Sequence, residues 1–522
     1  METLSSLYLI NFLQELIFHP LFLSFMLFVI LLYKSLSSNP SNGKNLPPSP
    51  PKLPVIGNLH QLGLLPHRSL QSLSRRYGKV MLLCLGNRPT LVVSSADAAE
   101  EIMKTNDLIF YNRPSLRNAT RLFDGKDVAF APCGEYWRQM RSICVMKLLS
   151  NKKVQSFRKI REEEVAVMVD KLNSLGCSVV NLAEFIVSFT YDVICRASFG
   201  RKYRDNEGDI NFKNCIEEGM KLLGTFFLGD FVPCLSLIDR VKGLEGRLEK
   251  VAQELDAFVH KVIKEHQFHL STNKSIVSDN FVDILLRVHM DNKHDMSLDS
   301  IKAVILDMFA AGTDTTYTLV EWVVIELIRN PRVMKELQKE LRKIVGGKGR
   351  KVCEDDLEKL TYLKAVIKEA LRIHPPGPLL VIRESLQDSK VNGFDIDAGT
   401  LVIINAWAIQ TDPIYWEEPE QFRPERFLNS SNLADFKGQD FRYIPFGAGR
   451  RGCPGISFAL ANAELVIATL LNEFELTLPG DVQIEKIDMT EITGLTVRRR
   501  DPLMVIATPS AYVLEQMYAD PI

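Results

Sequence analysis

A glycine-rich stretch near the C-terminus, FGAGRRGCPG (Phe446–Gly455), contains the cysteine best suited to bind a metal. Its residues 447–452 match the pattern G-x-G-x-x-G, which is typical of loops that bind a dinucleotide pyrophosphate. Cys453 follows at the expected start of a helix, where Pro454 suits the first helical position. A helix N-terminus and nearby arginines favour a thiolate, and a single thiolate is a ligand with which iron in a haem can activate oxygen. Taken alone, the stretch is equally compatible with an inert, buried cysteine.

A dinucleotide loop needs a strand before it and a nucleotide-binding sheet around it. The residues YIPF (443–446) could form that strand, but too few residues follow Cys453 to complete the sheet. Arg450 and Arg451 are also bulky where the backbone must approach the phosphates closely. These features favour a loop that holds the sulfur of Cys453 against a ligand.

The segment Met296–Pro331 predicts one long helix, roughly 50 Å if it is continuous, with polar residues in its apolar middle. The sequence AAGTDTT covers Ala310 to Thr316, and a glycine with three hydroxyl side chains costs stability in a helix. Asp314 and Thr315 place a carboxyl group beside an alcohol. Two interpretations are open: an N-cap that divides two helices, or a local opening of one helix that binds oxygen and relays protons.

Three shorter elements carry charged or aromatic side chains at helical spacing. Glu369 and Arg372 lie three residues apart in KEALRIHPPGP, and FRPERF offers Arg426 as a second partner for the same glutamate. An exposed pair would contribute only about 0.2–0.5 kcal/mol, whereas two arginines that share one glutamate could lock the fold around the cysteine loop. In YWRQMR, Trp137 and Arg141 lie one helical turn apart and could donate hydrogen bonds to an anion.

Composition and pattern predict a mainly α-helical protein with small β-sheets. The chain has 522 residues, 46% of them hydrophobic, a net charge of −1 and nine cysteines without a C-x-x-C pair. This charge balance argues against nucleic-acid binding, and the cysteine pattern fits a reducing compartment. Strands are predicted at 79–86, 90–95 and 400–409, whereas the middle of the chain is almost wholly helical. No domain boundary is evident after residue 55, so 55–522 is predicted to be one catalytic domain.

The first 54 residues predict a membrane anchor and a hinge. The apolar run Leu16–Tyr33 has 18 residues and would span about 27 Å as a helix, close to the thickness of an endoplasmic reticulum bilayer. Lysines follow this run, so the positive-inside rule places the rest of the chain in the cytosol. The alternative, a cleaved signal peptide, needs a basic leader and a small-residue cleavage site. We therefore predict an anchor at 1–33, followed by a linker and proline-rich hinge at 34–54.

Together and in this order, these elements resemble the cytochromes P450, the haem-thiolate monooxygenases, from the membrane anchor to the C-terminus. The cysteine loop fits F-x-x-G-x-R-x-C-x-G, and the A-G-x-D-T-T, E-x-x-R and P-E-R-F elements are intact. FGAGRRGCPG and NLPPSPPKLPVIGNLHQLG look most like the plant A-type group, whose members act on terpenoids, coumarins and aldoximes. The resemblance implies a single cytochrome P450 domain behind a transmembrane helix, in the endoplasmic reticulum membrane and facing the cytosol.

The resemblance also implies roles for individual residues. Cys453 would be the axial ligand of the iron in haem b, while Asp314 and Thr315 would deliver protons to the dioxygen that the haem activates. The residues implied to contact the haem are Trp137, Arg141, Arg383, Phe446, Arg451 and Cys453, with Arg383 a weaker candidate than the others. The residues implied to stabilise the fold are Glu369, Arg372 and Arg426. Ile382 stands where the group usually carries proline, which puts the choice of substrate in doubt but not the chemistry.

The resemblance implies an apolar pocket and an external source of electrons. The pocket would draw on Phe110–Phe123, Leu222–Phe231, Val304–Ala311, Leu379–Ile382, and Leu495 with Thr496. We interpret Leu222–Phe231 as a lid that dips into the membrane and admits a lipophilic secondary metabolite, with a terpenoid preferred. Electrons would come from a membrane-bound, flavin-carrying NADPH–cytochrome reductase, with cytochrome b5 as a second donor. The basic residues that could dock the reductase are Arg138, Lys147, Lys152 and Lys153, although a solvated helix face explains them equally well.

Two other functions stay open at this stage. A membrane-anchored NAD(P)-dependent reductase could use the glycine-rich loop for its nucleotide, and it would work without Cys453. A haem-binding carrier or sensor would hold haem without turning over a substrate.

Overall fold

The computed structural model describes residues 20–37, 43–203, 212–272, 279–291, 296–346, 350–428, 435–480 and 483–510. Residues 16–19 of the predicted membrane span lie outside these ranges. Helices dominate the described part of the chain, and the strands are short, as the sequence pattern predicts.

The α-helices in chain order are α1 (Pro20–Ser37), α2 (Pro66–Tyr77), α3 (Ala96–Glu100), α4 (Asp107–Phe110), α5 (Arg117–Phe123), α6 (Glu135–Ile143), α7 (Asn151–Ser156), α8 (Arg158–Ser174), α9 (Leu182–Phe199), α10 (Phe212–Leu223), α11 (Ser236–Val241), α12 (Leu244–Thr272), α13 (Phe281–Met290), α14 (Leu298–Arg329), α15 (Pro331–Val345), α16 (Glu354–Leu357), α17 (Thr361–Ile373), α18 (Ala406–Gln410) and α19 (Ile456–Glu473). The strands are β1 (Val80–Leu85), β2 (Arg88–Val93), β3 (Val179–Asn181), β4 (Arg383–Glu384), β5 (Ser389–Val391), β6 (Phe394–Ile396), β7 (Leu401–Ile404), β8 (Phe474–Thr477), β9 (Glu491–Thr493), β10 (Val497–Arg499) and β11 (Met504–Pro509).

Helix α14 lies at the centre of the helical body because it is apolar on nearly all sides, and such helices are buried. It packs against α9, α17 and α19, and Val304, Ile305 and Phe309 are completely buried within it. The hydroxyl of Ser297 caps its N-terminus by accepting a hydrogen bond from the Ser300 N–H at 3.1 Å. Asp314 and Thr315, which are predicted to do chemistry, therefore lie in the middle of a largely buried helix.

The main sheet has four strands in the order β1-β2-β7-β4. Strands β1 and β2 form an antiparallel hairpin, β7 joins β2 in parallel, and β4 pairs antiparallel to β7. The strand predicted at 400–409 ends at Ile404, because the side chain of Asn405 accepts a hydrogen bond from the Ala408 N–H and starts α18. The sheet brings Arg383, on β4, close to the cysteine loop.

One helix among the described residues, α19, is long and apolar enough to cross a membrane, and 61% of it is buried. That burial is typical of a core helix rather than of a membrane span. Helix α1, in the predicted anchor, instead exposes apolar side chains, including Phe25 and Leu27.

Candidate active site

The cysteine loop is closed by backbone hydrogen bonds that bring its two ends together. The Cys453 N–H donates to the Phe446 carbonyl at 2.9 Å, and the Gly455 N–H donates to the Cys453 Sγ at 3.3 Å. Helix α19 begins only at Ile456, so the prediction that Pro454 occupies the first helical position is wrong. The sulfur lies in a turn ahead of the helix, where a backbone N–H points at it directly.

Gly449 is the glycine that the loop needs most. Its φ of +69° is unfavourable for other residues, and a Cβ there would lie 2.2 Å from the Met103 carbonyl oxygen. Asp107 stabilises the same turn, because its carboxylate accepts the Arg450 N–H at 2.8 Å and Arg383 Nη1 at 3.1 Å. The sequence pattern gave no sign of Asp107, which comes from a distant helix.

The structure does not support a dinucleotide loop. Residues 443–446 form turn and coil rather than the strand that such a loop requires. The Gly452 carbonyl accepts a hydrogen bond from Arg141 Nη2 at 2.6 Å, which ties the loop to α6. The glycine pattern therefore serves to hold Cys453.

The Cys453 side chain borders an accessible space, and its thiol is close enough to Asp307, on α14, for the charges of the two groups to interact. The cysteine is exposed, although α14 and α19 belong to the core. Ala311 is likewise exposed in the middle of α14. Although its side chain is accessible, Cys453 lies deep within the protein, and desolvation there raises the pKa of its thiol; the Gly455 N–H and Arg141 oppose that rise and Asp307 adds to it. The direction of the Arg141 effect is the one that the sequence predicts for nearby arginines. A metal ion would supply the missing stabilisation, since a coordinating thiol is deprotonated.

Four arginines meet next to this space, among them the predicted Arg141, Arg383 and Arg451. Arg451 donates to the carbonyls of Tyr111, Val128 and Ala131 at 2.8, 3.3 and 2.7 Å. Its guanidinium carbon lies 3.8 Å from the ring centroid of Trp137. The indole N–H of Trp137 donates to the Val128 carbonyl at 3.0 Å. The ring therefore stacks on Arg451 and fixes its position.

The fourth arginine, Arg113, lies in the predicted pocket segment Phe110–Phe123, but the sequence assigned it no role of its own. It is buried and donates to the carbonyls of Ala129, Val381 and Ile382 at 2.9, 2.6 and 2.9 Å. No motif contains it, and only its position in space connects it with Arg383 and Arg451.

The arginine cluster carries more positive charge than its surroundings balance. Burial lowers the pKa of all four guanidinium groups, that of Arg451 to about 10, and the neighbouring arginines depress those of Arg113, Arg383 and Arg451 further. Among the described residues, Asp107 and Asp127 are the carboxyl groups that lower this repulsion, and burial raises the pKa of Asp127. Buried charges require partners. The cluster therefore fits a ligand with two carboxylates, such as the propionates of haem, beside an accessible sulfur.

The centre of α14 contains the predicted acid and alcohol. Asp314 Oδ2 accepts a hydrogen bond from the Thr496 hydroxyl at 2.6 Å, and burial raises the pKa of this carboxyl. The Thr315 hydroxyl donates to the Ala311 carbonyl at 2.6 Å within a helix that runs unbroken from Leu298 to Arg329. The predicted local opening is therefore absent, as is the alternative N-cap, because Thr315 satisfies the carbonyl that an opening would free.

Glu369, Arg372 and Arg426 form one buried ionic cluster. Arg372 donates to both carboxylate oxygens of Glu369 at 2.8 Å, and Arg426 Nε donates to Oε1 at 3.0 Å. The Arg423 N–H adds a fourth hydrogen bond at 2.9 Å. All three charged side chains are at most 4% exposed. The cluster joins α17 to the segment that leads to the cysteine loop.

The comparisons with known proteins agree with this geometry. The profile of the family described as Cytochrome P450 matches residues 47–506. The chain belongs to the cytochrome P450 family. Cytochrome P450 736A117 of Prunus mume is 50% identical over 507 residues, which cover 96% of this chain and 97% of the relative. (+)-Menthofuran synthase of Mentha piperita is 48% identical over 492 residues, covering 93% and 97% of the two chains. The solved structure of a zebrafish cytochrome P450 with abiraterone has a TM-score of 0.73 and 27% identity, over 86% of this chain and 100% of that one.

This cytochrome P450 is therefore an oxidoreductase, a haem monooxygenase with the expected mainly helical fold. Cys453 is the residue that would hold the haem iron, and the arginine cluster would hold the haem carboxylates. When bound, such a haem activates dioxygen for the insertion of one oxygen atom into a substrate.

The pocket segments predicted for this cytochrome P450 lie in different environments. Phe110 is completely buried and packs near Ala448 beneath the cysteine loop, so it does not line an open pocket. Phe446, which was predicted to contact the haem rather than to line the pocket, is half-buried. Its ring packs edge-to-face against Phe436, with the ring centroids 5.6 Å apart. Within the predicted lid, Phe227 is buried but Phe226 is 44% exposed. Five of the ten lid residues are buried, so packing in the core accounts for part of the apolar composition of this segment.

Proposed function

We propose that this cytochrome P450 is a microsomal monooxygenase that oxidises a lipophilic plant secondary metabolite, by hydroxylation, epoxidation or oxidative ring closure. The observation that carries the haem-thiolate assignment is the accessible Cys453 Sγ, which accepts the Gly455 N–H near three buried arginines and the half-buried Arg141. We propose a terpenoid as the substrate class, because the expected pocket is apolar and one relative is named for the terpenoid (+)-menthofuran.

In this proposal each group has one task. Cys453 binds the iron, Arg141 and Arg451 bind the carboxylates of the haem, and Trp137 keeps Arg451 in place. Asp314 and Thr315 hold and transfer protons on the side of the substrate. Burial raises the pKa of Asp314, which favours the protonated form that a proton donor needs.

The first test is a carbon monoxide difference spectrum of the dithionite-reduced protein, with Cys453→Ser beside it. A strongly red-shifted Soret band that disappears in the variant is expected for a haem held by this thiolate. A folded protein with no haem band would overturn the proposal. A haem band with no product in any screen of terpenoids, with reductase and NADPH present, would instead favour a haem carrier.

We further propose that NADPH–cytochrome reductase, and cytochrome b5 as a second donor, dock where α6 faces solvent. Trp137 and Arg141 point inward from this helix, whereas Arg138 is exposed on its outer side and Lys147 is exposed just beyond it. Arg138 and Lys147 line a surface groove of about 340 Å³. Lys153 does not belong to this face, because it is buried, donates to the Asp279 carbonyl and lies over the Phe157 ring.

The docking proposal predicts slower reduction of the haem by the reductase when the outer basic charges are reversed. Arg138→Glu and Lys147→Glu should each slow reduction several-fold at low salt and weaken its salt dependence. The matched control is Lys159→Glu, because Lys159 is exposed on α8, away from this groove. Reduction rates equal to that of the wild type in all three variants would exclude this face as the docking site.

We also propose that residues 1–33 anchor the protein in the endoplasmic reticulum membrane, that 34–54 form a linker and hinge, and that 55–522 form the catalytic domain facing the cytosol. A second apolar contact would come from exposed side chains on the body, such as Leu64 at 92% and Val241 at 82% exposure. Removal of residues 1–43 should release the protein from carbonate-washed microsomes, whereas Leu64→Asp in the full chain should leave it bound. Retention of the truncated protein would show that the body itself binds the membrane.

A further inference from the structure

The carboxyl group of Asp314 is held by a side chain from a different part of the chain. Thr496 lies in the turn between β9 and β10, is 3% exposed, and donates its hydroxyl to Asp314 Oδ2 at 2.6 Å. The Thr318 hydroxyl, one turn along α14 from Asp314 and completely buried, lies 3.2 Å from the Thr496 hydroxyl. The hydroxyl oxygens of Thr318 and Thr496 and Oδ2 of Asp314 thus form a short hydrogen-bonded chain.

This chain can satisfy the carboxyl group in either of its protonation states. A threonine hydroxyl has one proton to donate and can also accept. With Asp314 ionised, Thr318 donates to Thr496, and Thr496 donates to the carboxylate. With Asp314 protonated, both hydroxyls rotate: the carboxylic acid donates to Thr496, and Thr496 donates to Thr318. The oxygens need not move, so Oδ2 keeps its contact with Thr496 whether or not the carboxyl group holds a proton.

The turn that carries Thr496 is fixed on several sides. The Gly494 N–H donates to the Thr496 carbonyl at 2.9 Å, and Trp322 Nε1 donates to the Val497 carbonyl at 3.3 Å. At the base of the hairpin, Glu491 accepts two hydrogen bonds from Arg68 at 2.6 and 2.9 Å. A hydroxyl on so rigid a support can define the position of a carboxyl group on a neighbouring helix.

The other charged and titratable groups near Asp314 cannot do this. Arg498 lowers the pKa of Asp314 through its charge, but its guanidinium donates to the Tyr317 hydroxyl at 3.1 Å. Glu321 lies two turns along the same helix, where burial raises its pKa to about 7. Thr496 is the side chain that the structure places in direct contact with the carboxyl group.

We propose that Thr496, supported by Thr318, is a positioning residue that holds the Asp314 carboxyl group in one place through both of its protonation states. The sequence predicts Thr496 only as a pocket residue. The inference rests on the role proposed for Asp314 in proton transfer, and the experiment separates the two.

The test compares Thr496→Val, which removes the hydroxyl at nearly constant shape, with Thr496→Ser, which keeps it. Thr493→Val is the matched control, because the Thr493 hydroxyl is on the same hairpin but donates to the Leu64 carbonyl at 2.9 Å. Asp314→Asn identifies the carboxyl signal. All variants are prepared as full-length haem-loaded protein, and equal carbon monoxide spectra and melting temperatures show that they are folded.

The first measurement is an infrared difference titration of the substrate-free ferric protein, in which the Asp314 carboxyl band is the one lost in Asp314→Asn. Thr496→Val loses a hydrogen bond from both forms of the carboxyl group, but the bond to the ionised form is the stronger one, so the band should titrate about one pH unit higher than in the wild type. Thr496→Ser and Thr493→Val should match the wild type within 0.3 unit, which is about the precision of such a titration. A Thr496→Val band at the wild-type position would overturn the inference.

The second measurement is the rate at which dissolved oxygen reoxidises the dithionite-reduced protein, as a function of pH and in D2O. The pH profile of Thr496→Val should move by the same amount as the infrared band, about one unit, and Thr496→Ser should restore the wild-type profile. If Asp314→Asn alone removes the pH dependence while Thr496→Val leaves it unchanged, only the role of Thr496 fails. If Asp314→Asn also leaves the dependence intact, the proton-transfer role of Asp314 fails, and the inference with it.

Discussion

Neutralising Glu369 should destabilise the whole protein, because this carboxylate balances two buried arginines. Glu369 is completely buried and accepts hydrogen bonds from Arg372, Arg426 and the Arg423 N–H. In Glu369→Gln the side chain keeps its shape, but it loses its charge and turns an NH2 group towards a guanidinium. The two arginines then stay buried without a counter-ion.

The size of the effect follows from this burial. Removing one partner of a buried ion pair costs about 3–5 kcal/mol, mostly because the other charge is left uncompensated. Unfolding of a unit of about 460 residues, the length matched by the family profile, has an entropy of about 1 kcal/mol per kelvin. We therefore expect the melting temperature of Glu369→Gln to fall by about 3–5 °C, measured by calorimetry at a fixed scan rate because unfolding of so large a protein is often irreversible.

The matched control is an exposed glutamate with an equally short ion pair. Glu100 accepts from Lys104 at 2.6 Å, and both side chains are about half exposed. Glu100→Gln should change the melting temperature by less than about 1 °C, since exposed pairs contribute less than about 1 kcal/mol. The double variant Glu369→Leu with Arg372→Met should regain part of the loss, because it removes a stranded charge as well. Equal melting temperatures for Glu369→Gln and Glu100→Gln would refute the argument.

Two further variants probe the cysteine loop and the buried acids. Gly449→Ala should sharply reduce the haem content per folded protein, because its Cβ would lie 2.2 Å from the Met103 carbonyl oxygen. Gly480→Ala is the control and should keep its haem, since Gly480 has a similar φ of +64° and nothing within 4 Å of a Cβ. Equal haem contents in the two variants would contradict the clash. Burial raises the pKa of Asp307 to about 8. The native protein therefore retains a proton that the unfolded chain releases above about pH 4. The free energy of unfolding should consequently fall as the pH rises from about 4 to about 8. Asp307→Asn should flatten this fall in melting temperature between pH 5 and 9, and a wild-type slope in the variant would contradict the assignment.

The sequence was most informative where the chemistry is local. Cys453, Asp314 and Glu369 each lie in a short motif in which residue type and spacing already limit the interpretation. The structure brings Glu369 together with Arg426, 57 residues away, as the motif pair suggested. The family and its mainly helical fold are confirmed by the comparisons. The long helix at 296–331 was also predicted to within two residues at each end.

What the sequence did not reveal depends on contacts between distant segments. Asp107 and Arg113 support the cysteine loop and the arginine cluster, but no periodicity or spacing marks them. Thr496 was assigned to the pocket from resemblance alone, whereas its hydroxyl contacts Asp314 across 182 residues of chain. The desolvation that raises the pKa of the Cys453 thiol likewise could not be read from the sequence, because it depends on how distant segments pack around the loop.

Helix α6 connects the two halves of the proposed mechanism. Its inner side carries Trp137, which stacks on Arg451, and Arg141, which donates to the Gly452 carbonyl next to Cys453. Its outer side carries Arg138 on the surface groove. An α-helix with its side chains is only about 10–12 Å across. An electron donor bound at Arg138 would therefore be separated from the proposed cofactor site by little more than one helix, so the helix that would bind the haem carboxylates would also set how close the donor can come.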